Sequence, residues 1–350
     1  MTVTAEPRES DAGTSGGGDE ARRAVADFGA KARWHWYEPL FWLGAIAWYF
    51  LFPDQLPLGT QILTAALFAL SLDLILGYGG IVSLGHSIFF GLGAYSAGLL
   101  SKYGWGEPIT CVLAGGAIAA FAGWLCSFAI VRVQGIALLL VTLGINLVLY
   151  EIANKAYTIT GGNDGLQGVN FKPVFGIFDY DLYGRTSYVY TLVFAFLVYL
   201  VARRIVHSPF GLALKGMREN WKRMPAIGAS LRLHGMLIFV ISAAIAGVAG
   251  ALLCESLQFV SLDSLSVDRS VEVLTMLIVG GTGVLYGSFV GAAVYMELRD
   301  QLANLNPAYW YFWIGLLLVV VVLFTRNGLV GTMADIAQWL KRRGWRRAAP

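Results

Sequence analysis

Of 350 residues, 57% carry hydrophobic side chains and only 13% are charged, which predicts a polytopic helical membrane protein. The chain has no GxxxxGK(S/T) phosphate loop and no serine-hydrolase nucleophile elbow, so neither ATP hydrolysis nor that acyl chemistry is expected of it. Its net charge of +3 conceals a strong asymmetry along the chain.

Residues 1–33 carry Gly16, Gly17 and Gly18 among polar residues without apolar periodicity, which predicts a disordered cytosolic tail, and no cleavable signal peptide precedes the first apolar stretch. A transmembrane domain follows over 34–331. Apolar spans run roughly 38–52, 59–77, 81–100, 108–131, 136–154, 187–206, 233–256 and 309–326, judged against the about 20 residues a bilayer requires. As one helix, 270–302 would rise about 50 Å against a core of about 30 Å, so two short passes are expected there, divided at Gly280-Gly281-Thr282-Gly283. Residues 332–350 read as a basic amphipathic cytosolic tail. Cys111, Cys126 and Cys254 sit in apolar runs without metal or redox spacing, and four scattered histidines form no ligand cluster, so no metal site is expected.

The charges set sidedness. Arg203, Arg204, Lys215, Arg218, Lys222, Arg223 and Arg232 place the 207–232 loop in the cytoplasm under the positive-inside rule. Arg22, Arg23, Lys31 and Arg33 do the same for the N-terminus, as do Lys341, Arg342, Arg343, Arg346 and Arg347 for the C-terminus. Ten passes with both ends cytoplasmic satisfy these constraints.

The stretch Leu74 to Ile81, with Gly77, Gly79 and Gly80, reappears as Leu277 to Val284, with Gly280, Gly281 and Gly283. Two readings stay open: a structural pseudo-repeat with broken helices, or small residues that permit tight packing in lipid. Asp73 lies deep in the second span, where a carboxylate costs about 2.5–3.5 kcal/mol, so it is expected to face the interior with a partner. His86, with Ser83 and Ser87, could supply that partner. Alternatively, Asp73 or His86 hydrogen-bonds freed amides at the break rather than touching a solute. Glu151 and Glu272 lie nearer the outer surface, where hydration makes a charge cheaper. Few polar side chains line the spans, which predicts a largely apolar cavity. The outer loop with Gly161, Gly162 and Asp164 is turn-forming, and serves either as a link or as the mouth of a pore.

Between the sixth and seventh spans, Ser208 caps a predicted helix with Pro209 at its first position. Phe210, Leu214, Met217, Trp221 and Met224 form one apolar stripe, Lys215, Arg218, Glu219 and Lys222 face away from it, and Pro225 ends the helix. Such a helix either lies at the lipid headgroups or docks a cytoplasmic partner.

Five separated stretches, in order from about residue 60 to 331, resemble the inner-membrane permeases of branched-chain-amino-acid-type ABC importers, specifically the longer of the two permease subunits. They are Leu76–Gly80 with Ser83–His86 and Phe89–Tyr95; Thr160–Leu166; Arg218–Asn220 with Ala226–Gly228; Ser242–Ala251; and Glu272 with Gly280–Gly283. The resemblance implies an all-α fold of the type II importer class. It also implies a heterodimer with a sister permease, two ATP-binding subunits that hold ATP and Mg, and a periplasmic solute-binding protein that carries most of the specificity. No cofactor on this chain and no nucleic acid are implied, and the location is the bacterial inner membrane. By the same resemblance Met217, Arg218, Glu219, Asn220, Trp221, Ala226 and Gly228 belong to an ATPase-coupling helix. Asp73, Gly77, Gly79, Gly80, Ser83, His86, Glu272, Gly280, Gly281 and Gly283 belong to the translocation path or its helix breaks. Trp221 stands where an acidic residue is more usual, Pro225 interrupts its stretch, and Gly287-Ser288 and Arg326-Asn327-Gly328 depart from family patterns. These departures leave the solute open among branched-chain amino acids, urea, an amide or an aromatic acid. The competing classes are a stand-alone carrier or channel, with Asp73 as an ion site, and an intramembrane enzyme, for which no nucleophile–base or metal pair is visible.

Overall fold

A computed structural model describes residues 37–332, except 134, 182, 308 and 325–327. The expected N-terminal tail, and the basic C-terminal tail beyond Thr332, fall outside the described residues. The chain divides at Ala45 into a first unit, of which only the start of an apolar helix is described, and a second unit from Ile46 onward.

The helices are α1 Tyr37–Leu51, α2 Leu56–Asp73, α3 Ser87–Lys102, α4 Pro108–Ile130, α5 Ile136–Lys155 and α6 Arg185–Val206. They continue as α7 Pro209–Glu219, α8 Leu231–Leu257, α9 Val267–Gly280, α10 Leu285–Leu305 and α11 Trp310–Phe324. Pairing between extended segments is limited, among the described residues, to two isolated bridges. Five helical stretches have the length and apolarity to cross a bilayer: Pro53–Tyr78, α4, α5, α6 and α8. α9 and α10 form a sixth candidate, bent by 114° at the break between them. The ten passes expected from the sequence would count α9 and α10 separately and add α1, α3 and α11, which are shorter. α3 has 16 residues, a rise of about 24 Å. Its predicted start at residue 81 was too early, because Gly80 to His86 run outside helical geometry before Ser87.

α2 is the central helix. Leu67, Leu70 and Leu72 are fully buried on it, and α6, α8, α9 and α10 pack around it. α8 then bridges to α3 and α4. There the driving force is close backbone approach, since lipid tails are as apolar as leucine. Ala243, Gly247 and Ala251 recur at four-residue spacing along α8, and a Cβ on Gly247 would collide with Ala119 and the Gly115 carbonyl of α4. Outward, α4 exposes Phe121 and Leu125, and α5 exposes Leu140, Leu147 and Val148, as lipid-facing helices should.

Candidate functional site: two glycine breaks under the amphipathic helix

α2 continues past Asp73 into one π-helical turn, Leu74–Tyr78, and leaves helical geometry at Gly80, where φ is +69°. Carbonyls at a helix end have no intrahelical partner. That of Gly77 accepts a hydrogen bond from Nη1 of Arg218 on α7. Asp73 is fully buried, and its Oδ1 accepts from the backbone N–H of Gly283 at 2.7 Å. Gly283 lies in the turn between α9 and α10 with φ +80°. The two glycine-rich segments that resemble one another in sequence therefore pack together in space: a Cβ on Gly77 would strike the Asp73 carboxylate and the Gly283 nitrogen. Only a residue without a side chain allows that approach.

α7 seats on this junction. Gly80 lies against the Cα and side chain of Arg218, and Nζ of Lys215 sits 5.5 Å over the Tyr78 ring. The expectation that Lys215 and Arg218 face away from the buried stripe is thus corrected. Lys215 is half-buried against that ring, and Arg218, although exposed as a residue, turns its guanidinium back onto the Gly77 carbonyl, because a bare carbonyl and an aromatic face attract cations. Leu214 and Met217 are buried as the stripe required, and the Ser208 hydroxyl accepts from the Gly211 N–H at 3.3 Å. The helix ends earlier than expected. Asn220 leaves helical geometry, its side-chain oxygen accepts from the Arg223 N–H at 3.2 Å, and Pro225 falls in a short 3-10 turn, Met224–Ile227. Glu219, Asn220, Lys222, Arg223, Ala226 and Gly228 are exposed, whereas Trp221 is half-buried beside Gly79 and Gly80 in a cavity of about 220 Å³.

His86 is not the partner of Asp73. Its Nε2 lies 2.9 Å from the Ser71 hydroxyl and 3.1 Å from that of Ser242. Ser71 donates to the Phe68 carbonyl and Ser242 to the Ser71 carbonyl, so both hydroxyl protons are committed and Nε2 is assigned as the donor. Next to it, Ser87 receives Asn146 Nδ2 at 2.6 Å and Ser270 Oγ at 2.8 Å, which ties the start of α3 to α5 and α9. Ser83 accepts from the Gly85 N–H at 3.4 Å, a local turn. These one-way contacts hold the irregular segment in place.

At the other end of α9 the expected surface carboxylate is held by arginines. Glu272 binds Arg269 at 2.9 Å and Arg299 at 3.1 Å, with its side chain 12% exposed. Arg269 also reaches Asp263 at 2.8 Å, and the Arg299 guanidinium lies over the Trp310 ring. This triad borders a cavity of about 120 Å³ between α2, α3, α8, α9 and α10. In the outer loop Gly161 and Gly162 take positive φ, Asp164 is exposed, and Leu166 donates to the Val260 carbonyl at 2.8 Å, pinning the loop to the chain after α8. Glu151 is exposed and pairs with Lys155 at 3.8 Å.

Sequence reading passed over Arg269, Arg299, Asn146 and Glu255, and gave Ser242 no role beyond its place in a family-like stretch. Glu255 is buried on α8 beside Tyr180 and Tyr190. A charge near the end of an apolar span was the available signal for it. Among the described residues, no group of three or more His, Cys, Asp or Glu could hold a metal ion.

The chain is 28% identical over 308 residues to the high-affinity branched-chain amino acid transport system permease protein LivM of Escherichia coli K12, covering 82% of this chain and 72% of that one. It is 27% identical to the Salmonella typhimurium LivM over the same extent. Against a probable branched-chain amino acid transport permease protein LivM of Methanocaldococcus jannaschii it is 26% identical over 166 residues, 43% of this chain and 48% of that one. No solved structure matches the chain. These relatives are permease components rather than enzymes. The profile of one family covers residues 57–322, and the chain accordingly belongs to the permease components of branched-chain amino acid transport systems, as a LivM-like, multi-pass membrane ABC permease.

Proposed function

We propose that this chain is one of two permease subunits of an ATP-driven importer for branched-chain amino acids. It pairs with a sister permease in the inner membrane, with both termini cytoplasmic, and receives solute from a periplasmic binding protein. Two ATP-binding subunits, which hold the ATP and Mg, grip α7 from the cytosol. The observation that carries this reading is the double-faced geometry of α7. Outward, its last residue Glu219 and the turn that follows it, with Asn220, Lys222 and Arg223, are offered to a partner; inward, the Lys215 and Arg218 side chains reach the glycine break of α2. A push on α7 therefore reaches the Gly77 carbonyl through Arg218 and, through the Asp73–Gly283 bond, the turn between α9 and α10. Packed elements respond to such a push by rigid-body rocking rather than by continuous deformation.

The test replaces each face separately. Alanine at Glu219 and Asn220 should release the ATPases from purified membranes, while Arg218→Ala should leave them bound, with ATP hydrolysis no longer producing leucine uptake. Retained uptake in both variants would overturn the coupling role. Leucine flux through the chain alone in liposomes would favour a stand-alone carrier instead.

A further inference from the structure

On the outer half of α6, Val189, Val193 and Leu197 stand at four-residue spacing on one face, each about half exposed. They form one wall of a groove of about 510 Å³. The facing wall is built by Tyr49 of α1, Ile109 at the start of α4, and the Val174–Phe178 turn of the outer loop. From Arg185 at its mouth to Leu197 the groove follows α6 for about 18 Å, slightly more than half of a hydrocarbon core of about 30 Å. Spread over that length, the volume gives a slot roughly 6 Å across, too narrow for a helix of about 10–12 Å. It would hold roughly 17 groups of about 30 Å³, the size of a water molecule and close to that of a methylene. That is one acyl chain of membrane length.

The mouth is polar and held in a costly conformation. Arg185 is the charged member of the lining, and its guanidinium stands 5.7 Å from the centre of the exposed Tyr183 ring. No ion pair engages Arg185 among the described residues. Beside it, Asp181 accepts from the Thr186 N–H at 3.3 Å and Asp179 is exposed, so the rim carries both signs of charge. Cations and aromatic rings gather in this way at the headgroup level of membrane proteins. Phe175 takes φ +55°, a costly conformation for a bulky residue, and its ring borders the groove while 75% exposed.

We propose that this groove binds a zwitterionic glycerophospholipid of the outer leaflet. One acyl chain lies along Val189, Val193 and Leu197, the phosphate meets Arg185, and the headgroup cation faces the two carboxylates. A net anion such as a free fatty acid gains less at a rim that already holds Asp179 and Asp181. The choice of leaflet rests on the sidedness proposed above; the site itself does not depend on transport.

The experiment uses the full chain with its native partner subunits, reconstituted in vesicles of phosphatidylcholine and phosphatidylglycerol. Three probes carry the same mid-chain diazirine: phosphatidylcholine, phosphatidylglycerol and diacylglycerol. The phosphatidylcholine probe should mark peptides of the outer half of α6 and the Val174–Phe178 turn well above lipid-exposed α5. The other two should mark them about three- to fivefold less, the scale of an exposed charge pair. Arg185→Gln should erase the difference between the phosphatidylcholine and diacylglycerol probes. Val193→Trp, which fills the groove from an exposed position, should abolish labelling there and leave that of α5 unchanged. Equal labelling of α5 and α6, equal labelling by all three probes, or full labelling of Val193→Trp would overturn the site. So would a photoreactive amino acid at position 193 that crosslinks to a protein subunit instead of lipid. Ile177→Cys, read with a membrane-impermeant maleimide against the unsubstituted chain, reports sidedness separately. Reaction from outside without the lipid crosslinks refutes the lipid site alone, whereas reaction only after lysis refutes the outer leaflet.

Discussion

The Asp73 carboxylate sits where insertion of a charge costs about 2.5–3.5 kcal/mol, and one backbone amide from the α9–α10 turn answers it. The chemistry needed at that position is an acceptor, with the Arg218 guanidinium in electrostatic reach. Asp73→Asn keeps an amide oxygen for the Gly283 N–H, whereas Asp73→Ala leaves that N–H bare. We expect alanine to lower stability by about 1.5–3 kcal/mol, as for a hydrogen bond to a charged group, and asparagine by clearly less, read as thermal midpoints in detergent. Equal loss from both would mean that the charge itself is required. The sequence placed Asp73 in the interior and left its partner open between His86 and freed backbone amides at the break, of which the Gly283 amide is the one observed. His86 is 13 positions away in the chain, and the turn that places it against Ser71 and Ser242 has no signature in residue spacing.

At the scale of elements, glycine marks both where helices touch and where they break. α3, α4 and α8 meet at Gly93, Gly115 and Gly247, where added side-chain volume has no room. Gly247→Leu should therefore cost at least the about 1–3 kcal/mol typical of overpacking, visible as a shift to aggregate in size-exclusion chromatography. Leucine at Gly144 of α5, where nothing lies within 4 Å of an added Cβ, should be tolerated. The glycine-rich motif after α2 and its echo after α9 were readable as breaks. That they pack on each other was not, because a match between two sequences says nothing about contact. The end of α7 was misplaced for a related reason: proline is a conspicuous terminator, while the Asn220 side chain that closes the turn looks like an ordinary polar residue.

For the whole molecule, the exposed apolar faces of α4 and α5 require lipid or a second apolar subunit. We expect the chain to stay in the pellet after alkaline carbonate washing. A C-terminal green fluorescent protein fusion should fluoresce, as it does only in the cytosol. A silent fusion at full expression would invert the proposed sidedness.

Hydropathy, charge and glycine spacing are local properties, summed along one dimension. For that reason they located the apolar helices among the described residues and the division of α9 from α10. Pairing of polar groups is another matter. Whether Arg218 points to solvent or to the Gly77 carbonyl, and whether Glu272 is hydrated or clasped by Arg269 and Arg299, depends on how each helix is rotated and which neighbours it meets. Those choices emerge when the helices pack, since the cost of burying a polar group is relieved only by whatever the assembled bundle brings within hydrogen-bonding distance.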